Sequence, residues 1–118
     1  MATPAGIYNI IADQGATFTR QLTWNDSAGS AVNLTGYTAR MQVRTSIDAA
    51  GAAILSLTTE NGRIVLGGTA GTIMLSAEAT ATQAVTAGSY VYDLELVSGS
   101  TVTRLVQGSF TLRGEVTR

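Results

Sequence analysis

Residues 89–108, SYVYDLELVSGSTVTRLVQG, give the clearest indication of the fold, because their pattern predicts a β-hairpin. Between residues 90 and 96 large apolar side chains occupy every second position, which is the period of a half-buried β-strand. Residues 98–100, Ser-Gly-Ser, are a turn signal, so the second half of the stretch should return antiparallel and form a hairpin. Gly108 interrupts the returning strand, and we expect a bulge or bend there.

Two earlier segments show the same alternation. In residues 37–44 the apolar positions alternate with polar ones that carry Arg40 and Arg44, which predicts a solvated sheet face with two arginines. In residues 18–24 the apolar positions include Arg20, which we expect near a strand end or against a carboxylate.

Shorter apolar segments fill the rest of the chain. They predict strands at residues 7–11, 54–57, 63–66, 73–75 and 109–113, with a glycine-rich hairpin turn at 67–71. Between the strands, Leu34 should enter the core and Gly36 should adopt positive φ. The one helix candidate spans residues 76–85, where Ser76 is a possible N-cap and the threonines limit the helix to two turns.

About eight short strands with regular turns predict an all-β fold, an antiparallel β-sandwich of immunoglobulin-like or jelly-roll-like type. The helix near residues 76–85 would be its single helical element. Because 118 residues suit one domain and the composition does not shift along the chain, residues 1–118 should form a single sandwich. We expect residues 1–6 and 114–118 to be flexible ends.

The residue inventory argues against an enzyme. The chain has no cysteine and no histidine, and all 7 of its basic residues are arginine. It therefore lacks thiol nucleophiles, zinc-thiolate sites, the commonest general base and Schiff-base lysines. We predict no catalytic, cofactor-binding or metal-binding residues and no cofactor. A net charge of −1 without a basic stripe predicts no nucleic-acid binding, and no apolar run predicts a membrane span or a signal peptide.

The acidic residues offer two candidate sites. Asp93 and Glu95 share one strand face, an arrangement that glycoside hydrolysis can use, but pairing with Arg104 on the neighbouring strand is the preferred interpretation. Three aspartates fall in predicted loops, where calcium sites draw their ligands, but turn-capping explains them better: Asp13, Asp26 and Asp48.

Glycines and aromatic residues offer further candidates. Residues 67–72 are glycine-rich, but without a lysine and a following helix they do not form a phosphate loop. Four aromatic residues could form a sugar-binding platform, although core packing is the preferred interpretation: Trp24, Tyr37, Tyr90 and Tyr92. Candidate interface anchors are Tyr8 and either Arg40 or Arg44, because Tyr and Arg are enriched at binding hot spots.

Residues 13–44 resemble the N-terminal domain of phage baseplate upper proteins. The similarity lies in the strand start at residues 13–18, the polar turn at 25–29 and the element Val-Asn-Leu-Thr-Gly at 32–36. Residues 88–96 with 103–108 also resemble small phage proteins encoded among tail and fibre genes. The resemblance implies a β-sandwich adaptor that docks onto a phage tail. Unlike a full baseplate upper protein, which also has coiled-coil and receptor-binding regions, this chain is expected to be a free-standing adaptor, collar or decoration subunit rather than a fibre.

We therefore expect a virion structural protein of a tailed bacteriophage, made in the host cytoplasm and placed in the tail or baseplate. Its partners would be other phage structural proteins, contacted through open sheet edges and arginine-bearing faces, in a symmetric homo-oligomer. A charged fraction of 13%, about half the usual value, fits equally a surface covered by other subunits and a small, threonine-rich β-protein. The alternatives are a capsid decoration protein and a carbohydrate-binding module for host glycans.

Overall fold

The computed structural model describes residues 6–47, 51 and 53–117. Nine strands lie in this part of the chain: β1 (Gly6–Ile7), β2 (Ile10–Asp13), β3 (Phe18–Thr23), β4 (Thr38–Arg44), β5 (Leu55–Thr58), β6 (Ile64–Leu66), β7 (Thr72–Ala77), β8 (Gly88–Ser98) and β9 (Thr101–Arg113). One short helix, α1 (Ala79–Gln83), and a 3-10 turn (Gly68–Ala70) complete the described elements. The all-β prediction is confirmed.

Two sheets pack face to face. The large sheet has the order β1/β2–β9–β8–β4–β5, and the small sheet has the order β3–β7–β6. The inward positions of both sheets form one core that includes Phe18, Met41, Leu75, Leu94 and Phe110. Phe110 makes edge-to-face contacts with Phe18 across the sheets and with Tyr92 on the neighbouring strand. Burial of these alternating side chains is what fixes the strand register.

The sequence pattern is compatible with both an immunoglobulin-like and a jelly-roll-like sandwich, and the strand order distinguishes between them. In immunoglobulin sandwiches one sheet runs A-B-E-D and the other C-F-G. Here β3–β7–β6 correspond to B-E-D, and β4, β8 and β9 correspond to C, F and G. Tyr90, near the start of β8, donates its hydroxyl hydrogen bond to the carbonyl of Thr86 four residues upstream, as in the tyrosine corner of such domains. The fold is immunoglobulin-like.

The N-terminal segment differs from the predicted single strand and from a purely antiparallel sheet. It forms β1 and β2, which both pair in parallel with β9, so one predicted strand becomes two. Between them the backbone passes close to Gly108, where an added Cβ would lie 2.7 Å from the carbonyl oxygen of Tyr8. The register shift of the β8–β9 hairpin lies instead at Leu105, because Leu94 pairs with Val106 and Glu95 with Arg104. The bulge predicted at Gly108 is therefore displaced.

The connections follow the predicted chemistry with one correction. Leu34 is buried and Gly36 has φ 84°, both as expected. Helix α1 lies inside the predicted range, but Ser76 does not cap it, because Ser76 still belongs to β7. The flexible ends remain a prediction: residues 1–5 and 118 lie outside the described part, and the Glu115 N–H donates a 3.1 Å hydrogen bond to Gln14.

Candidate interaction surface

The outward side of the large sheet collects most of the charged strand residues. The register places Arg40 of β4 opposite Glu95 of β8, and Gln42 opposite Asp93. On β9, Arg104 and Gln107 continue the same two rows. We call this side the outer face; it consists of Arg40, Gln42, Arg44, Val91, Asp93, Glu95, Arg104 and Gln107 together with Ile7 at the edge.

Each carboxylate of the outer face has an arginine partner. Nε of Arg40 lies 2.7 Å from Glu95 Oε1, and Nε of Arg104 lies 3.3 Å from Asp93 Oδ2. The geometry therefore agrees with the structural pairing of both carboxylates with arginines.

A groove of about 350 Å³ crosses the outer face. Its lining includes two apolar residues that are strongly exposed, Ile7 (71%) and Ile47 (87%). The other lining residues are mixed and include Gln42, Arg44, Val91, Asp93, Arg104 and Gln107. The Arg44 guanidinium is held by Gln42 Oε1 at 2.9 Å and by the Gly51 carbonyl at 2.6 Å. Apolar anchors beside prearranged arginines are typical of protein-binding surfaces.

Aromatic side chains are not part of this surface. All seven aromatic residues fall in the described part of the chain, and none of them is exposed. Tyr92 is buried, Tyr90 packs against the core, and Trp24 meets Tyr37 edge to face with ring centroids 6.0 Å apart. The platform that stacks on sugars in carbohydrate-binding sites is therefore absent, as the core-packing interpretation expects.

The loop aspartates serve turns and ion pairs. Asp26 Oδ1 accepts hydrogen bonds from the N–H groups of Ala28 and Ser30, which closes the turn after β3. Asp13 accepts a 2.7 Å hydrogen bond from Arg113, which lowers the pKa of that carboxyl. Asp48 lies outside the described residues. Across residues 6–47, 51 and 53–117, no group of three acidic side chains could hold a metal ion.

The glycine-rich residues 67–71 form the predicted hairpin turn between β6 and β7. Gly71 ends the 3-10 turn in the left-handed region, with φ 69°. A Cβ there would lie 2.9 Å from the carbonyl oxygen of Trp24, so glycine is required by space as well as by conformation. The segment is a structural turn, consistent with the rejection of a phosphate loop.

Arg20 contradicts its expected place. It lies in the middle of β3 opposite Leu75, and its guanidinium contacts no carboxylate in the described part of the chain. Instead it donates to the Tyr8 hydroxyl at 3.0 Å and to the Ile11 carbonyl at 3.3 Å. Arg20 therefore links β3, the edge strand of the small sheet, to the N-terminal segment of the large sheet.

A polar cluster at the opposite edge was not predicted. The Arg63 guanidinium donates to both carboxylate oxygens of Glu78 and to the carbonyl of Ser56 on the edge strand β5. Asn61 adds hydrogen bonds to Ser56 O and from Thr58 N–H. The arginine holds the pKa of Glu78 at about 2. Residues 60–62 were recognised only as a turn, and no sequence pattern links Arg63 to Glu78.

The comparisons with known proteins bear on the fold. No family model matches the chain, and no curated protein matches it. A solved structure of the endo-β-1,4-mannanase from Thermotoga petrophila is similar over 94% of this chain, with a TM-score of 0.50 and 13% identity. The match spans 18% of the mannanase chain, so it concerns a part of that protein. At this identity the likeness supports the β-sandwich fold alone.

Within the described residues, no helix is long and apolar enough to cross a bilayer.

Proposed function

We propose that this chain is a non-enzymatic structural protein of a tailed-bacteriophage particle, acting as an adaptor in the tail or baseplate through protein–protein contacts. The observation that carries the proposal is the outer face, where exposed Ile7 and Ile47 line one groove with arginines fixed in place by carboxylate and amide partners. The resemblance of residues 13–44 to phage baseplate modules supplies the biological setting. No cofactor or metal is required.

The charge pattern supports a binding role over catalysis. Four carboxylates of the described chain pair with four different arginines: Asp13 with Arg113, Glu78 with Arg63, Asp93 with Arg104 and Glu95 with Arg40. Such pairs order the arginine side chains before a partner arrives, which reduces the entropy lost on binding. The low charge elsewhere limits the desolvation penalty of covering the surface.

Location in the particle is the first test. Purified virions of the phage that encodes this chain would be imaged with a gold-labelled antibody against it. Label at the tail or its tip supports the adaptor role. Label over the head would replace it with the decoration role, and unlabelled particles would overturn the virion proposal altogether.

The contact surface is tested separately by complementation. Phage lacking the gene would be grown with plasmid-borne variants, and incorporation into particles measured by immunoblot. Ile7→Asp places a charge in the groove lining and should reduce incorporation, whereas Val65→Asp, also exposed (59%) but on β6 of the small sheet, should not. Equal incorporation of both variants would show that the outer face is not the docking surface.

A carbohydrate-binding module is the second candidate. The amide and charged groups of the groove, Gln42, Asp93, Arg104 and Gln107, are suited to sugar hydroxyls. The structural neighbour is an endo-β-1,4-mannanase, so mannan oligosaccharides are the natural first probes for calorimetry. We expect no binding, because the described fold displays no exposed aromatic platform. Saturable binding that is lost in Asp93→Ala would instead favour the carbohydrate-binding candidate.

A further inference from the structure

The small sheet has an edge that the fold leaves open. In an immunoglobulin sandwich the first strand, A, lies beside strand B in the same sheet. In this chain the N-terminal strands β1 and β2 pair with β9 in the large sheet instead, so β3 is the last strand on its side of the small sheet. The position beside β3 is therefore vacant within the described part of the chain.

The hydrogen-bonding phase of β3 shows which groups face that vacancy. The Trp24 N–H donates to Gly71 O at 2.9 Å. The backbone N–H and C=O groups of the even-numbered residues of β3 therefore point toward β7. The bonds of β7 to its other neighbour agree with this alternation. The Thr72 carbonyl accepts from Gly67 N–H and the Ser76 N–H donates to Arg63 O, so the even-numbered residues of β7 face β6 and the odd-numbered ones face β3. The N–H and C=O groups of three residues therefore point outward from the edge: Thr19, Gln21 and Thr23.

The other edges of the described sheets are protected. On β5 the outward carbonyl of Ser56 is bonded by Asn61 and Arg63. On β2 the Ile11 carbonyl accepts from Arg20, and β6 has only three residues. Natural sheets protect their edges by such bonds, by short strands and by inward-pointing charges. The six residues of β3 include no proline or bulge, and the guanidinium of their one inward charge, Arg20, is bonded within the fold to Tyr8 and Ile11, so this edge is a pairing site.

We propose that β3 pairs antiparallel with β3 of a second copy of this chain, joining two small sheets into one continuous six-stranded sheet. This rests on the proposed function as a protein-binding module and names one of its partners. A two-fold axis at Gln21 sets Gln21 against its counterpart and Thr19 against Thr23 of the other copy, and about six interstrand hydrogen bonds form. Arg20 then faces Leu22 rather than another arginine.

The second copy is the fitting occupant because the edge is self-complementary. The side chains of Thr19, Gln21 and Thr23 are exposed and uncharged, so these three residues neither repel an identical strand nor select a charged one. Threonine pairs across antiparallel strands are favourable. A single strand pair buries little area, so the contact is weak in solution and gains strength where copies repeat in an assembly.

Disulfide trapping tests the register directly, since the chain has no cysteine of its own. In the proposed dimer the Cα atoms of the two Gln21 residues lie about 5.5 Å apart, within disulfide range. Gln21→Cys should therefore form a covalent dimer, of twice the 12.2 kDa chain mass, under mild oxidation. The control Val65→Cys, also exposed but on β6 at the far side of the small sheet, should remain monomeric. Equal cross-linking of both variants, or of neither, would overturn the proposal.

Sedimentation equilibrium up to about 1 mM gives the second test. Gln21→Pro removes the outward N–H and spares the ladder to β7, so dimerisation should weaken about tenfold. Gln21→Lys opposes two like charges and should weaken it as well, while Gln21→Lys mixed with Gln21→Glu should restore it. Unchanged dimerisation in Gln21→Lys would refute the pairing even if Gln21→Pro fails to fold. Failure here leaves the virion location, tested by labelling, unaffected.

Discussion

The Arg20 guanidinium donates a 3.0 Å hydrogen bond to the Tyr8 hydroxyl and so joins β3 of the small sheet to the segment between β1 and β2 of the large sheet. Arg20 also bonds the Ile11 carbonyl, and its guanidinium carbon lies 5.8 Å from the centre of the Phe18 ring. The half-buried Arg20 side chain therefore bridges the two sheets on the side of the sandwich where the N-terminal strands pair with β9 and not with β3.

We expect Arg20→Met to lower the free energy of unfolding by about 1–2 kcal/mol. The substitution keeps the apolar stem but removes the donors to Tyr8 and Ile11. Urea unfolding followed by tryptophan fluorescence measures the change. Arg40→Met is the control, since the Arg40 side chain is 54% exposed and its ion pair should contribute less than about 1 kcal/mol. Equal losses would show that Arg20 contributes no more than a surface arginine.

Gly108→Ala should destabilise the fold by about 1–3 kcal/mol. The added Cβ would meet the Tyr8 carbonyl oxygen and Asn9 Oδ1, both at 2.7 Å, and would force the N-terminal segment away from β9. Gly6→Ala is the matched control on the parallel partner strand, because its Cβ finds only ordinary contacts at 3.7 Å. The melting temperatures of the two variants test this. If Gly108→Ala melts at the same temperature as Gly6→Ala, the close approach of the Tyr8 carbonyl to Gly108 is not needed for stability.

Thr82→Val should destabilise the fold by about 1–3 kcal/mol although it keeps the side-chain shape. The buried hydroxyl of Thr82 accepts from Gly15 N–H at 3.1 Å and donates to Ala16 O at 2.9 Å, which ties α1 to the loop before β3. The valine leaves both backbone groups without this partner. Thr80→Val, on the exposed side of the same helix, should change stability by less than about 0.5 kcal/mol in the same denaturant titration.

Acid should remove the contribution of the Arg63–Glu78 pair. The pKa of Glu78 is about 2 in the folded chain against 4.5 ordinarily, so the pair stabilises the fold above about pH 4.5 and loses this effect as the pH falls toward 2. Wild type and Glu78→Gln should therefore differ in melting temperature at pH 6 and converge near pH 2. Glu60→Gln, whose partner is a neighbouring threonine, serves as control. A difference that persists unchanged at pH 2 would contradict the assignment.

Local patterns predict the strands well because they depend on adjacent residues. The alternation of residues 90–96 and the turn at 98–100 place β8 and the start of β9, and the missing histidine, lysine and cysteine narrow the chemistry that the chain can perform. The short hairpin turn places Arg104 opposite Glu95, so its pairing with one of the two carboxylates is foreseeable. Its actual diagonal contact with Asp93 at 3.3 Å is not, because Glu95 pairs instead with Arg40 on β4.

Contacts between residues far apart in the chain could not be predicted in this way. Nothing near Arg20 indicates that Tyr8 and Ile11 will receive its hydrogen bonds, and nothing near Gly108 indicates that Tyr8 will pass over it. Both depend on the parallel pairing of β1 and β2 with β9, which brings together residues about one hundred positions apart.

The alternating strands, the turn glycines and the scarcity of catalytic side chains follow from the sequence, because each is a property of residue type or of near neighbours. The sheet that receives the N-terminal strand, and with it the open edge at Thr19, Gln21 and Thr23, depends on long-range contacts. A strand that moves from one sheet to the other keeps its period of two. The sequence pattern is the same for either pairing, and the packing of the whole chain selects one.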